Sequence, residues 1–259
     1  MIGSSDKKPI ARIREELNAL PADQIEAGIK PYLSDSRAGV QKLISSARAR
    51  LDKYRQELLR IEKLCTYEKE YSQYTFICGI DEVGRGPLAG PVVAGAVILP
   101  KDCRILYIND SKKLSASKRE ELYDVIREQA LAYGIGMVPQ DVIDEINILN
   151  ATYEAMRRAI GSLKQAPDLL LNDAVTIPGV DIPQVPIIKG DAKSISIGAA
   201  SILAKVFRDR MMVEYDSIYP GYGFVSNKGY GSKDHVEAIK RLGPCPIHRR
   251  SFIKNIVDL

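Results

Sequence analysis

The sequence predicts an α/β protein: a mixed β-sheet flanked by helices and preceded by a helical N-terminal extension. Three observations carry that expectation. Apolar residues recur at helical spacing through the first 73 positions, short runs of strand formers begin at Tyr74, and helix-like and strand-like runs alternate after Leu114. With 259 residues, 45% of them hydrophobic, the chain can bury one substantial core and still supply a smaller module. The expected organisation is therefore a helical extension, 1–73, and a larger domain, 74–259.

In the extension, Ile10, Ile13, Leu17 and Leu20 repeat at helical spacing after Pro9, a suitable first-turn residue. A longer helix is expected from Ser36, because Val40, Ile44, Ala47, Leu51, Tyr54, Leu58, Ile61 and Cys65 keep close to a 3.5-residue period. The pair reads as a helical hairpin or short coiled coil. Its apolar stripe either packs on its own hairpin, the commoner outcome, or serves a partner.

In the larger domain, TFICGID, VVAGAVIL and ILYIND follow at short intervals with no helical pattern between them, which suggests three strands of an antiparallel meander. A helix over SASKREELYDVIREQA, capped by Ser115 or Ser117, leads to a strand at GIGMV and a helix at ATYEAMRRAIGSL. DLLLND reads as a buried strand ending at Asp173, and PQVPIIKGDA as a strand or loop ending at Asp191. SISIGAASILAKVFRDRMMVEYDS is one long helix, and the Gly- and Tyr-rich YPGYGFVSNKGYGSK that follows reads as an ordered functional loop. The order βββαβαβα fits a central mixed sheet.

Composition narrows the function classes. The formal charge of +4 is only mildly basic. Residues 1–72 hold 14 Lys+Arg against 11 Asp+Glu, and residues 73–259 hold 23 against 22, so the surplus sits mostly on the extension. A near-neutral larger part fits a phosphate-binding surface around an acidic centre. No apolar run approaches the roughly 20 residues of a membrane helix, and MIGSSDKKPI lacks the apolar centre of a signal peptide, so a cytoplasmic protein without membrane partners is expected. Cys65, Cys78, Cys103 and Cys245 form no CxxC pair and are expected as reduced thiols.

Four acids stand where a sheet brings residues together: Asp81 and Glu82 at the end of the first strand, Asp173 at the end of DLLLND, and Asp191 before the long helix. Oxygen ligands of this kind suit Mg²⁺ or Mn²⁺, and two such ions roughly 4 Å apart serve phosphodiester hydrolysis. Taken singly, an acid at a strand end is more often a turn former or helix cap. Adjacent Asp81 and Glu82 also start on opposite faces of a strand, so they converge only if the strand ends or twists there, which Gly84 and Gly86 permit. GIDEVGRGPLAG is the most informative stretch: its glycines let backbone amides approach a ligand, and Arg85 offers a planar fork to a phosphate.

GIDEVGRGPLAGPVVAGAVIL, NDSKKLS, LLLND, KGDAKSISIGAASILAKVFRD and GYGFVSNKGYGSKDH, in this order, closely resemble the motifs of bacterial ribonuclease HII, a type 2 ribonuclease H family, over most of residues 74–259. The resemblance implies a ribonuclease H-like fold with Asp81, Glu82, Asp173 and Asp191 as catalytic metal-binding carboxylates. It also implies that the backbone of Gly84, Arg85 and Gly86 senses the ribose 2′-hydroxyl. Tyr230 would stack on the sugar beside the scissile ribonucleotide, and Lys112 falls at the family's substrate-contacting lysine. Ser201 and Lys205, one turn apart, are candidates for backbone phosphates.

The implied activity is an endonuclease for RNA/DNA hybrids and ribonucleotide-containing duplex DNA. It would cut 5′ of the ribonucleotide with two Mn²⁺ or Mg²⁺ ions, leave a 3′-hydroxyl and a 5′-phosphate, and serve ribonucleotide removal and primer RNA degradation, acting as a monomer. Two departures stand out: Ala174 follows Asp173 where relatives often carry glycine, and compact members start close to the first strand. Ribonuclease HIII, which also carries an N-terminal appendage, is disfavoured because that appendage contains a sheet. A catalytically silent binding module or an adaptor acting through the extension is the rival of another class, and buried clustered carboxylates argue against it.

Overall fold

The computed structural model describes residues 8–257. These divide between Glu62 and Lys63 into two compact units. In the first, α1 (Ile10–Ala19) and α3 (Ala38–Leu64), whose last two residues fall in the second unit, carry the expected helical periods, and the short α2 (Ile25–Ile29), which no period announced, lies between them in the chain. Ile13 and Leu17 of α1, Ile25 and Ile29 of α2, and Val40, Ile44, Ala47 and Leu51 of α3 form one buried cluster. The apolar stripe thus packs on its own hairpin. Arg50 of α3 donates to the carbonyls of Leu17 and Leu20, at 2.7 and 3.0 Å, and so takes up acceptors that the end of α1 leaves open.

The second unit is built on β1 (Ile77–Val83), β2 (Val92–Ile98), β3 (Ala132–Val138), β4 (Leu169–Asp173) and β5 (Gln184–Ile187), in sheet order β3-β2-β1-β4-β5. β1 pairs antiparallel with β2, and β2 with β3, while β4 runs parallel to both β1 and β5. A helix covers each face, as expected of a mixed sheet. On one face Ala151, Ala155, Met156 and Ala159 of α6 (Gln140–Gly161) pack on Cys78, Ile80, Ala94 and Ala96. On the other, Ile197 of α7 (Ile195–Ile218) joins Ile77, Leu169 and Leu171. That approach is close: a Cβ on Gly79 would stand 2.1 Å from the Ser196 carbonyl carbon, and one on Gly95 2.4 Å from the Ala200 oxygen.

The first residues of the second unit fold with its sheet. Tyr67 of α4 (Thr66–Glu70), with Tyr71 and Tyr74 after it, packs against the Ile77–Leu169–Leu171 cluster. Glu68 accepts from Ser194 Oγ at 2.5 Å and from the Ser196 amide at 3.1 Å, at the start of α7. The packing boundary therefore precedes the change of texture at Tyr74.

One strand expectation is corrected. ILYIND buries Ile105 and Ile108 but forms no strand, because β1 and β3 already pair both edges of β2 and Tyr107 takes a left-handed φ of 68°. The third strand of the meander is β3, reached after α5 (Ala116–Gln129), whose Ser115 caps the Lys118 amide at 3.2 Å. α6 also begins earlier than its apolar pattern showed and bends at Asn147, whose side chain accepts from the Leu149 and Asn150 amides. α8 (Phe224–Asn227), α9 (Lys233–Leu242) and α10 (Arg250–Ile253) complete the unit.

At the end of β4, Ala174 holds φ 57°, the left-handed turn that glycine favours. The left-handed turn is thus made with a strained residue. Ala174→Gly should therefore raise stability by about 1 kcal/mol in urea denaturation, the released strain exceeding the entropy glycine adds to the unfolded chain; a lower midpoint would contradict the strain.

Candidate active site

Parallel pairing of β1 with β4 brings the carboxyl ends of both strands together, and α7 closes over them. Between these elements lies a cleft of about 630 Å³, lined by Asp81 and Glu82, the Gly84–Arg85–Gly86 loop, Ser111, Lys112, Arg119, Ser201, Lys205 and Tyr230. Nine of the sequence-selected residues thus share one opening. Asp173 and Asp191 stand outside its lining but within electrostatic reach: Asp173 acts on Asp81, Glu82 and Asp191.

Asp81 is only 6% exposed. Its Oδ1 accepts the Glu82 amide at 2.7 Å, and Ser201 supports its ionised form. Burial above all, then the charges of Glu82 and Asp173, push its carboxyl well above the usual range. Glu82 is pushed up by burial too, against the pull of Arg85, whose guanidinium lies 3.3 Å away. Glu82 Oε2 is buried without a hydrogen-bond partner. Asp173 Oδ1 accepts the Gly190 amide at 2.7 Å. Asp191, in the turn Gly190–Ala192, is raised by burial and by Asp110 and Asp173, with Lys112 opposing.

These groups suit a hard cation. The donors are all oxygens, their repulsion is what a cation relieves, and Glu82 Oε2 is an acceptor left open. Among the described residues no three Asp, Glu, His or Cys side chains already converge as a formed chelate, so the set is a charge cluster and not a finished cage.

Around the acids lies a cationic rim. Lys205 pairs with Asp209 at 2.7 Å, and burial lowers its pKa. Arg119 of α5, which no motif of the sequence singles out, donates to the Ser111 and Leu114 carbonyls at 2.9 and 2.7 Å and lies 3.8 Å from Asp209. Asp110 was also missed; its side chain accepts the Lys112 amide at 3.0 Å. Ser201 is buried, with its hydroxyl 2.9 Å from Ser111 Oγ, so it faces Asp81 and the 3-10 turn at Ser111 more than open solvent.

The loop and the tyrosine meet across the opening. A Cβ on Gly86 would stand 3.9 Å from the Tyr230 ring, which is 42% exposed. Gly84 takes φ 89°, and a side chain there would strike Arg208. Buried Arg208 donates to the carbonyls of Ala89, Pro91 and Lys228, and buried Arg249 to those of Gly84, Arg85 and Gly90.

Behind Tyr230 the two histidines form a directed chain. The Cys245 amide donates to His248 Nδ1 at 2.9 Å, so His248 Nε2 carries the proton and donates to His235 Nε2 at 3.1 Å; His235 Nδ1 donates to the Tyr230 carbonyl at 2.8 Å. Burial, then the neighbouring His235, lowers His248 to about 4. Both rings are thus structural and neutral near pH 7.

Comparison with known proteins gives the family. The family model for Ribonuclease HII matches residues 78–255, and that for the Ribonuclease HII N-terminal domain matches residues 9–72. Ribonuclease HII of Lachnoclostridium phytofermentans is 66% identical over 232 residues, 89% of this chain and 91% of that one. The Clostridioides difficile ribonuclease HII is 55% identical over 252 residues, 96% of this chain and 99% of its own. The crystal structure of ribonuclease H2 from Pyrococcus horikoshii aligns with a TM-score of 0.60 at 29% identity, covering 70% of this chain and 96% of that chain. By sequence along both units and by fold in the larger one, the chain belongs to the ribonuclease HII family of ribonuclease H enzymes.

Proposed function

We propose that the chain nicks duplex DNA 5′ of embedded ribonucleotides and cuts the RNA strand of RNA/DNA hybrids, leaving a 3′-hydroxyl and a 5′-phosphate. The observation that carries this reading is one cleft in which mutually repelling, buried carboxylates face the Gly84–Gly86 loop and Tyr230. Asp81, Glu82, Asp173 and Asp191 would hold two Mg²⁺ or Mn²⁺ ions. Bound there, such ions supply Lewis acidity to the phosphate and to water.

The chain's own residues do the rest. Arg85, Lys112, Arg119 and Lys205 line the cleft as cations for the phosphates on either side of the cut. Backbone amides of the Gly84–Gly86 loop detect the 2′-hydroxyl, which distinguishes RNA from DNA at one position. Tyr230 places its ring against the neighbouring sugar. No histidine serves as base, since both are buried in the chain behind Tyr230. Residues 1–73 would act as a module that adds grip on the duplex through their positive balance, with 74–259 as the catalytic domain. The biological role would be removal of ribonucleotides from DNA and of primer RNA, in the cytoplasm and as a monomer.

The test is cleavage mapping with Mg²⁺ or Mn²⁺ on two substrates side by side: a DNA duplex bearing one ribonucleotide, and a continuous hybrid. A nick 5′ of the single ribonucleotide is expected; binding without a nick would overturn the enzymatic reading in favour of a silent binding module. Asp81→Asn should lower cleavage by about a thousandfold or more, several kcal/mol of lost transition-state stabilisation, and activity near that of the parent would remove Asp81 from the site. For Tyr230→Ala, cleavage at a single ribonucleotide should fall about tenfold further than cleavage of the continuous hybrid, and equal losses would count against junction sensing.

A further inference from the structure

We propose that Arg249 is a positioning residue for ribose recognition: its buried guanidinium aims the Arg85 and Gly86 amides into the cleft as donors to a 2′-hydroxyl. This rests on the function proposed above. Arg249 is fully buried, its guanidinium lies 5.1 Å from the centre of the Phe252 ring, and its three hydrogen bonds all go to main-chain carbonyls. Nη2 donates to the Gly84 carbonyl at 2.5 Å, Nη1 to the Arg85 carbonyl at 2.8 Å, and Nε to the Gly90 carbonyl at 3.0 Å. In a trans peptide the N–H points opposite to the C=O of the same plane. With the Gly84 and Arg85 carbonyls drawn inward, the next amides, those of Arg85 and Gly86, face outward. Among the described residues neither amide has a protein acceptor.

The electrostatics point the same way. Buried Arg208 lies close enough to lower the pKa of Arg249, after burial, which is the larger cause; together they bring it to about 9. Placing two cations together inside a protein is costly unless something uses their field. Here carbonyl dipoles absorb it, and a peptide whose oxygen is bound to a cation becomes a stronger N–H donor. Arg249 is itself held in place, because its amide donates to the Leu88 carbonyl at 2.8 Å. Lysine would keep the charge and lose the fork that grips two successive carbonyls.

The experiment uses the full chain carrying Asp81→Asn, so that bound substrate is not consumed, with and without Arg249→Lys. Fluorescence anisotropy measures affinity for a DNA duplex bearing one ribonucleotide and for the same duplex made wholly of DNA. Arg249→Lys should weaken binding of the ribonucleotide duplex about tenfold and change binding of the all-DNA duplex less than about twofold. A purely structural role would weaken both alike, and that result, like an undiminished ribonucleotide preference, overturns the proposal.

Should the lysine variant fail to fold, amide NMR of the Asp81→Asn chain decides: the Arg85 and Gly86 amide protons should move downfield with the ribonucleotide duplex and not with the DNA duplex. Unmoved resonances overturn the proposal. Absence of any ribonucleotide preference in the Asp81→Asn chain, together with no nicking by the wild-type chain, instead removes the functional reading beneath it.

Discussion

The close seat of α7 on β1 and β2 is the constraint on which the site depends. Because Gly79 and Gly95 leave no room for a side chain between helix and sheet, α7 runs directly beneath the end of β1. Asp81 is thereby cut off from water, and Ser201 and Lys205 are delivered to the same cleft. Parallel pairing of Gly79 with Leu171 and of Ile80 with Asn172 then brings Asp173 up beside Asp81 at the strand ends. A bulkier residue at either glycine would lift the helix and separate these groups.

The second organising feature is opposed charge in two shells. Acids gather at the strand ends, where burial and like charge raise Asp81, Glu82 and Asp191 together. Beneath the adjoining loop lie Arg208 and Arg249, whose charges are spent on main-chain carbonyls and leave the acids uncompensated. The loop is therefore rigid through hydrogen bonds made behind it, and its front stays open. Tyr230 is fixed in the same manner from behind, through its carbonyl and the His235–His248 chain.

Much of this was legible in the sequence because the informative features were local. The 3.5-residue stripe of α3, the run of β4 and the length of α7 each announce themselves within one segment. So do GIDEVGRG and NDSKK, whose residues enter the cleft. ILYIND was misread because buried Ile105 and Ile108 look the same in a strand and in a packed loop; the deciding facts were the left-handed Tyr107 and the pairing of β2 with a strand much later in the chain. Arg119, Arg208 and Arg249 were not legible for a related reason. Their partners are carbonyls, which carry no residue identity, and for Arg249 those carbonyls lie more than 150 positions away. Ala174 shows the converse: an alanine gives no local sign of a left-handed turn, yet the backbone takes one there.

The cleft holds its carboxylates under mutual repulsion, which a divalent cation would relieve. Thermal unfolding of the wild-type chain and of Asp81→Asn, each without divalent ions and then with Mn²⁺, tests it directly. In metal-free buffer the variant should melt roughly 3 °C higher, corresponding to about 1 kcal/mol of relieved repulsion, and Mn²⁺ should raise the wild type more than the variant. A variant that melts lower without metal, or an equal response of both chains to Mn²⁺, would contradict it.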